Sequence, residues 1–415
     1  MRAREIARVV VAQVRPLVGW VARRLMPDVE PAQVLPFALR WGKARARALM
    51  PPRGLVRGTM IVCPRPGRVW AMELDRPMPA AREVLVRVAV SAISPGTERA
   101  FFRHQPNARP TYPYFPGYSL AGEVVVAGRE SQFRPGDRVA IAAPHASVAV
   151  APDAQLYRVP PTVSLEEAAF VQLGIIALQA VQKAHLQRGG TVVVLGQGLI
   201  GQLLVQLSVA FGAYPVVSVA RSDKRVLDSL RRTAQQVIVE DRDGRDALGR
   251  LGAEVTFDAT GSPDGLPAAL RSTREGGRIV LAGSTRGVTQ QADFGLLADK
   301  AVTIVGAHVS SASRRERAAH AQMFLDLVRR RRLDVASLIT ERIHPLEAER
   351  FYRRLSRNDD ATVGAVICWD RLHRAQLMRH VGYHSLPDLS PLQHTRMARW
   401  PLGRRAHATQ DVISP

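Results

Sequence analysis

The chain has 415 residues, 46% of them hydrophobic and 23% charged, which suits a soluble globular protein with room for two domains. Its two cysteines, Cys63 and Cys368, exclude a disulfide scaffold and cannot supply a four-cysteine zinc lobe. The net charge of +22 is densest at the ends, with +9 in residues 1–58 and +5 in residues 371–415, so basic N- and C-terminal extensions flank a more balanced centre.

In chain order, Arg4–Met26 reads as a basic amphipathic helix interrupted at Pro16. Such a helix suits an anionic membrane surface, a protein partner, or its own core. Pro51-Pro52-Arg53-Gly54 reads as a linker. From Gly58 the texture is β-rich, with strands predicted at Arg68–Leu74, Glu83–Ser91, Gly122–Val126 and Arg138–Ala142. Pro-Gly turns at 95–96, 116–117 and 135–136 punctuate them at the spacing of a small, partly open barrel. Ser164–His185 reads as a helix opened by a capping box.

Gly189–Arg225 carries the main signal. Thr191–Leu195 is a β-branched apolar run suited to a strand buried on both faces. Gly196, Gly198 and Gly201 then spell GxGxxG, Leu199–Phe211 has helical spacing, and Val216–Val219 supplies the second strand of a βαβ unit. Here the glycines provide a tight turn, close backbone approach to a diphosphate, and close helix–strand packing. The helix N-terminus adds partial positive charge. The second strand ends at Ala220 and is followed by Arg221-Ser222-Asp223-Lys224-Arg225. A guanidinium at Arg221 pairs with a ribose 2′-phosphate, where a carboxylate would repel it, so NADP(H) is expected over NAD(H). Asp223 supports the opposite choice if the strand runs longer.

Further strands are predicted at Gln236–Val239, Val255–Asp258, Arg278–Gly283 and Val302–Gly306, completing six. Arg315–Arg332 reads as a basic helix, and Ile343–Trp369 as a helix and a closing strand. Residues after Asp370 are weakly periodic. No apolar segment of about 20 residues suits a bilayer span, and no cleavable leader is evident, so a cytoplasmic protein is expected. Only four of the 58 basic residues are lysine, and no helix-turn-helix, zinc-finger or RNA-binding signature accompanies them, so no nucleic-acid partner is expected.

Across residues 59–370 the motifs PGYSLAGEVVVAG (116–128), PGDRVA (135–140), AAFVQLGIIALQAV (168–181), GQGLIG (196–201), FDATGS (257–262), GGRIVLAGS (276–284) and VGAVI (363–367) resemble the medium-chain dehydrogenase/reductase superfamily. That resemblance implies an α/β chain with two domains. One is a GroES-like, partly open β-barrel domain over 59–160 and 340–370. The other is a six-stranded Rossmann dinucleotide-binding domain over 161–339. It also implies a homodimer paired along the sixth strand, Ala301–Gly306. Zinc-dependent members hold their metal with Cys, His and a third ligand. The corresponding places here carry Ser94 or Pro95, Tyr118 and Leu173, so no metal is expected. SPGTE resembles the subgroup of secondary-alcohol and bacteriochlorophyllide-type dehydrogenases.

Without zinc, a side chain must stabilise the oxyanion or move the accompanying proton. Motif position nominates Tyr118, at a former ligand place, together with His145 and Glu98. Each has a plain structural alternative: packing for Tyr118, a core histidine for His145, an arginine pair for Glu98. His104 and His308 are weaker candidates. Gln172 is expected at the nicotinamide or substrate. The cofactor set is Gly196, Gly198, Leu199, Ile200, Gly201, Arg221, Ser222, Arg225, Thr260, Gly261, Gly283 and Ser284. The expected function is a zinc-independent, NADP(H)-dependent oxidoreductase acting on a carbonyl or secondary alcohol in biosynthesis. Alternatives are reduction of an activated C=C bond, as in quinone reductases, and a non-catalytic NADPH-binding scaffold docked to a membrane or an acidic partner.

Overall fold

The structure, a computed structural model, describes residues 55–106, 108, 110–240, 245–283, 293–357 and 361–371. The chain divides into two units, 1–53 with 385–415, and 54–384, and every described residue belongs to the second. The amphipathic helix expected at Arg4–Met26, the linker at 51–54, the tail beyond Arg371, and Ser284 lie outside the described residues.

The β-rich part begins at β1 (Leu55–Arg65), which pairs antiparallel with β2 (Arg68–Pro77) around a turn whose Gly67 has φ +72°. The strand therefore starts before the change of texture at Gly58. β3 (Glu83–Ile93) shows why alternation reads as strand: Val84, Val86, Val88 and Val90 are buried, while the exposed Arg87 pairs across to Glu123 at 2.9 Å. With β4 (Leu120–Ala127), β5 (Arg138–Ile141), β6 (Val148–Pro152) and β7 (Leu156–Arg158) it forms the barrel-like sheet. Two late strands, β14 (Ile339–Ile343) and β15 (Gly364–Cys368), return to it, giving the order β14-β15-β3-β4-β5-β7 with β6 on β3.

Between them lies a parallel six-stranded sheet: β8 (Val192–Leu195), β9 (Val216–Ala220), β10 (Gln236–Val239), β11 (Ala253–Asp258), β12 (Thr273–Leu281) and β13 (Thr303–Gly306). Their order, β10-β9-β8-β11-β12-β13, reverses direction between β8 and β11. This doubly wound arrangement collects ligands where the order reverses. Val192, Val194 and Val216 bury one face, and Val193, Leu195, Val217 and Val219 bury the other. That is why these strands read as continuous rather than alternating apolar runs.

Nine α-helices are described: α1 (Pro95–Phe102), α2 (Leu165–Ala168), α3 (Val171–Ala184), α4 (Leu199–Ala210), α5 (Asp228–Thr233), α6 (Gly265–Ser272), α7 (Phe294–Asp299), α8 (Arg314–Arg329) and α9 (Ala348–Leu355). Ser164 caps α2 with the expected reciprocal box to Glu167. The single helix predicted over Ser164–His185 is broken at Ala169–Phe170, where the Ala169 carbonyl accepts from the Ser119 hydroxyl instead of continuing a helical ladder. The Pro-Gly at 95–96 opens α1 instead of a turn, since proline suits the first helical position.

Candidate functional site

The end of β8 and the start of α4 form a cradle. Gly196 has φ +87°, and a Cβ on Gly201 would come within 1.8 Å of the Gly196 carbonyl oxygen, so only glycine lets the turn close onto the helix. A Cβ on Gly198, by contrast, would meet nothing within 4 Å, leaving open space where a diphosphate meets the helix N-terminus. Leu199 is buried in the core and Ile200 half-buried, so at this point the helix offers backbone N–H groups, not side chains. These features fit a dinucleotide.

The neighbouring loops close on the same point. A Cβ on Gly196 would lie 2.9 Å from Thr260 Cα, and one on Gly283 would lie 2.9 Å from the Gly261 nitrogen, so Gly196, Thr260, Gly261 and Gly283 come together. Asp258, ending β11, accepts from the Thr260 amide at 2.9 Å and its hydroxyl at 2.6 Å. Burial nevertheless holds its carboxyl above the usual range. Beyond β9 the strand does end at Ala220. Arg221 is exposed, Ser222 and Arg225 are half-buried, and the Asp223 carboxylate is ion-paired with Arg231 at 3.0 Å.

On the barrel side, Tyr118 is half-buried on the loop entering β4 and packs against the large core cluster. Gly117 before it has φ +90°, and a Cβ there would fall 2.5 Å from the His145 ring. The imidazole is therefore the floor under the Gly117–Tyr118 backbone. His145 is fully buried: its amide donates to the Pro116 carbonyl at 2.9 Å, Nδ1 lies 2.8 Å from Ser91 Oγ, and Nε2 lies 3.0 Å from Glu98 Oε2. Glu98 Oε1 accepts the Ser94 amide at 2.8 Å, and Oε2 also accepts the Tyr352 hydroxyl. The Trp369 indole donates to Ser91 Oγ at 2.9 Å. A neutral ring satisfies every partner, with Ser91 donating to Nδ1 and Nε2–H donating to a Glu98 carboxylate.

His145 and Glu98 are thus brought together behind Tyr118, and neither reaches solvent. Burial and the adjacent Glu98 hold the Tyr352 phenol well above its ordinary value. Ser91, Tyr352 and Trp369 were not singled out in the sequence. Tyr352 lies 254 positions from Glu98, and Trp369 lies 278 from Ser91, so no local spacing could signal them. Gln172, at the start of α3, donates its amide to Ser119 Oγ at 3.2 Å and lies beside the Tyr157 phenol. Through Ser119 the Tyr118 loop is tied to α3, which packs on α4 of the nucleotide cradle. His104 stacks on Tyr112, and His308 bonds Ser310, both apart from this network.

Among the described residues, no group of three His, Cys, Asp or Glu is placed to hold a metal ion. Pro95 begins α1, Tyr118 offers a phenol, and Leu173 is fully buried and apolar, so these three places do not make a zinc ligand set.

Residues 80–160 match the alcohol dehydrogenase GroES-like domain, and residues 200–325 match the zinc-binding dehydrogenase domain. The chain is 29% identical over 252 residues to 2-desacetyl-2-hydroxyethyl bacteriochlorophyllide A dehydrogenase of Cereibacter sphaeroides, covering 55% of this chain and 74% of that one. Its fold is similar to that of a zinc-binding dehydrogenase from Sinorhizobium meliloti bound to NADP, with TM-score 0.66, 20% identity, and 75% of this chain and 99% of that one covered. It is equally similar to an Escherichia coli alcohol dehydrogenase complexed with NADH, at TM-score 0.66 and 19% identity over the same shares.

Proposed function

Since this chain belongs to the medium-chain dehydrogenase/reductase superfamily, we propose that it is an NADP(H)-dependent oxidoreductase that interconverts a carbonyl and a secondary alcohol in biosynthesis, without zinc. The nucleotide cradle joined through Ser119 and α3 to Tyr118 carries this proposal. Bound nicotinamide supplies or accepts the hydride. Tyr118 donates a hydrogen bond to the substrate oxygen, taking the place a metal ligand occupies in zinc-dependent members, and passes the proton as the carbonyl is reduced. His145 and Glu98 act as positioning residues: the ring supports the Tyr118 backbone, and the carboxylate fixes the ring. Gln172 orients nicotinamide or substrate from the mouth of α3.

NADP(H) is favoured because the first side chain beyond β9 is the exposed Arg221, while the nearby Asp223 is already paired with Arg231. Similarity to the bacteriochlorophyllide dehydrogenase supports a secondary alcohol or its ketone over an activated C=C bond. We further infer a cytoplasmic homodimer joined along β13. The direct test is NADPH oxidation with a panel of ketones and enones. Wild type consumes NADPH with ketones, and Tyr118→Phe loses about a hundredfold in kcat with NADPH affinity unchanged. Turnover with enones only, or an unimpaired Tyr118→Phe, contradicts this assignment.

A further inference from the structure

Gln202, in the first turn of α4, is 1% exposed, yet its side chain is not simply filling the core. Its Nε2 donates to the Arg225 carbonyl at 2.7 Å and to the Gln197 carbonyl at 3.3 Å. Gln197 stands between Gly196 and Gly198 in the diphosphate loop. Its own amide is anchored inward, donating to the Val194 carbonyl at 2.9 Å. Arg225 ends the short 3-10 turn at Asp223–Arg225 that follows β9. A single buried side chain thus spans the GxGxxG loop and the segment that follows β9.

Geometry and energetics agree on what the side chain is for. Gln202 Oε1 is buried with no hydrogen-bond partner among the described residues, a cost that a leucine or methionine here would not incur. What the amide gives in return is two N–H donations, and the shorter one goes to the segment after β9. The diphosphate loop has additional ties, with the Gly196 amide on Val219 at 2.9 Å and the Gln202 amide on Gly198 at 3.0 Å. The 221–225 segment is more exposed: Arg221, Asp223 and Lys224 all face solvent, and the Asp223–Arg231 ion pair that also ties it is a weak surface one.

We propose that Gln202 is a positioning residue that couples the two nucleotide loops and sets discrimination between phosphorylated and unphosphorylated pyridine nucleotides. It does so by holding the Arg225 backbone, and with it the Arg221 guanidinium, at the place of the 2′-phosphate. The inference rests on the NADP(H) reading above. Losing the donation lets the 221–225 segment drift, which weakens the ionic contact to the extra phosphate while leaving the diphosphate contacts in place.

Calorimetric titration of NADP+ and NAD+ into wild type and Gln202→Met tests this, with thermal melting to verify folding. Gln202→Leu serves if the methionine variant does not fold. The expected result is a loss of about tenfold in NADP+ affinity with NAD+ affinity changed by less than about threefold, so that the preference shrinks. A parallel loss for both nucleotides, or an unchanged ratio, overturns the role given to Gln202 while leaving the cofactor assignment intact. If wild type binds NAD+ as tightly as NADP+, the cofactor assignment falls and this inference with it.

Discussion

At the scale of single residues, the Tyr118 loop owes its position to contacts no other residue types provide. Gly117 must be glycine twice over, for its positive φ and for the His145 ring where a Cβ would sit. Beneath the same loop, Cys63 exchanges backbone hydrogen bonds with Tyr114 at 2.7 and 2.8 Å, and its thiol donates to the Arg65 carbonyl at 3.2 Å. Burial pushes that thiol up to about 12 from an ordinary 9.0. A folded value above the unfolded one means that stability from this group is fully present below the unfolded value and is lost as pH rises through the folded one. Wild type should therefore lose unfolding free energy between pH 9 and about 12, and Cys63→Ala should lose less over the same window. Urea unfolding across that range measures both, and identical slopes would show that the thiol ionises alike in the folded and unfolded states. The same burial predicts that Ellman's reagent at pH 8 labels Cys63 only after unfolding.

At the scale of elements, the six parallel strands and the GxGxxG turn were legible because both rest on local chemistry. β-branched runs buried on two faces need no partner to be recognised, and the glycines sit where a turn and a helix start demand them. β10 spans Gln236–Val239, the very residues its apolar run predicts. The break between α2 and α3 was not legible, because its cause is Ser119, a side chain on the distant loop entering β4 that reaches the Ala169 carbonyl. Likewise Glu98 and His145 could be nominated singly but not joined, since they lie 47 positions apart, and Tyr352 reaches Glu98 and Trp369 reaches Ser91 only when α9 and β15 return to the barrel. β13 is the edge of its sheet, with Ile304 and Val305 half-exposed, and the neighbouring Phe294 on α7 is 76% exposed. Such an edge pairs with a second copy unless it is blocked. Wild type should sediment as a dimer and Val305→Lys as a monomer, since a lysine ammonium opposes pairing at an edge. A monomeric wild type at micromolar concentration would contradict the dimer.

For the whole molecule, the proposed function has the six-stranded sheet supply a binding cradle and the barrel supply the Tyr118 phenol backed by a sealed network, with Ser119 and α3 joining them. No helix among the described residues is long and apolar enough to cross a membrane. The sequence's net charge of +22 favours anionic ligands by long-range attraction, so nucleotide binding should weaken as salt rises. Everything catalytic depends on the cradle holding a pyridine nucleotide. The decisive measurement is the enhancement of NADPH fluorescence on titration with the full chain at moderate ionic strength. Saturable binding with one nucleotide per chain, stronger than for NADH and abolished in Gly201→Val, is the predicted result. No enhancement with either nucleotide, or binding that survives Gly201→Val unchanged, would contradict it.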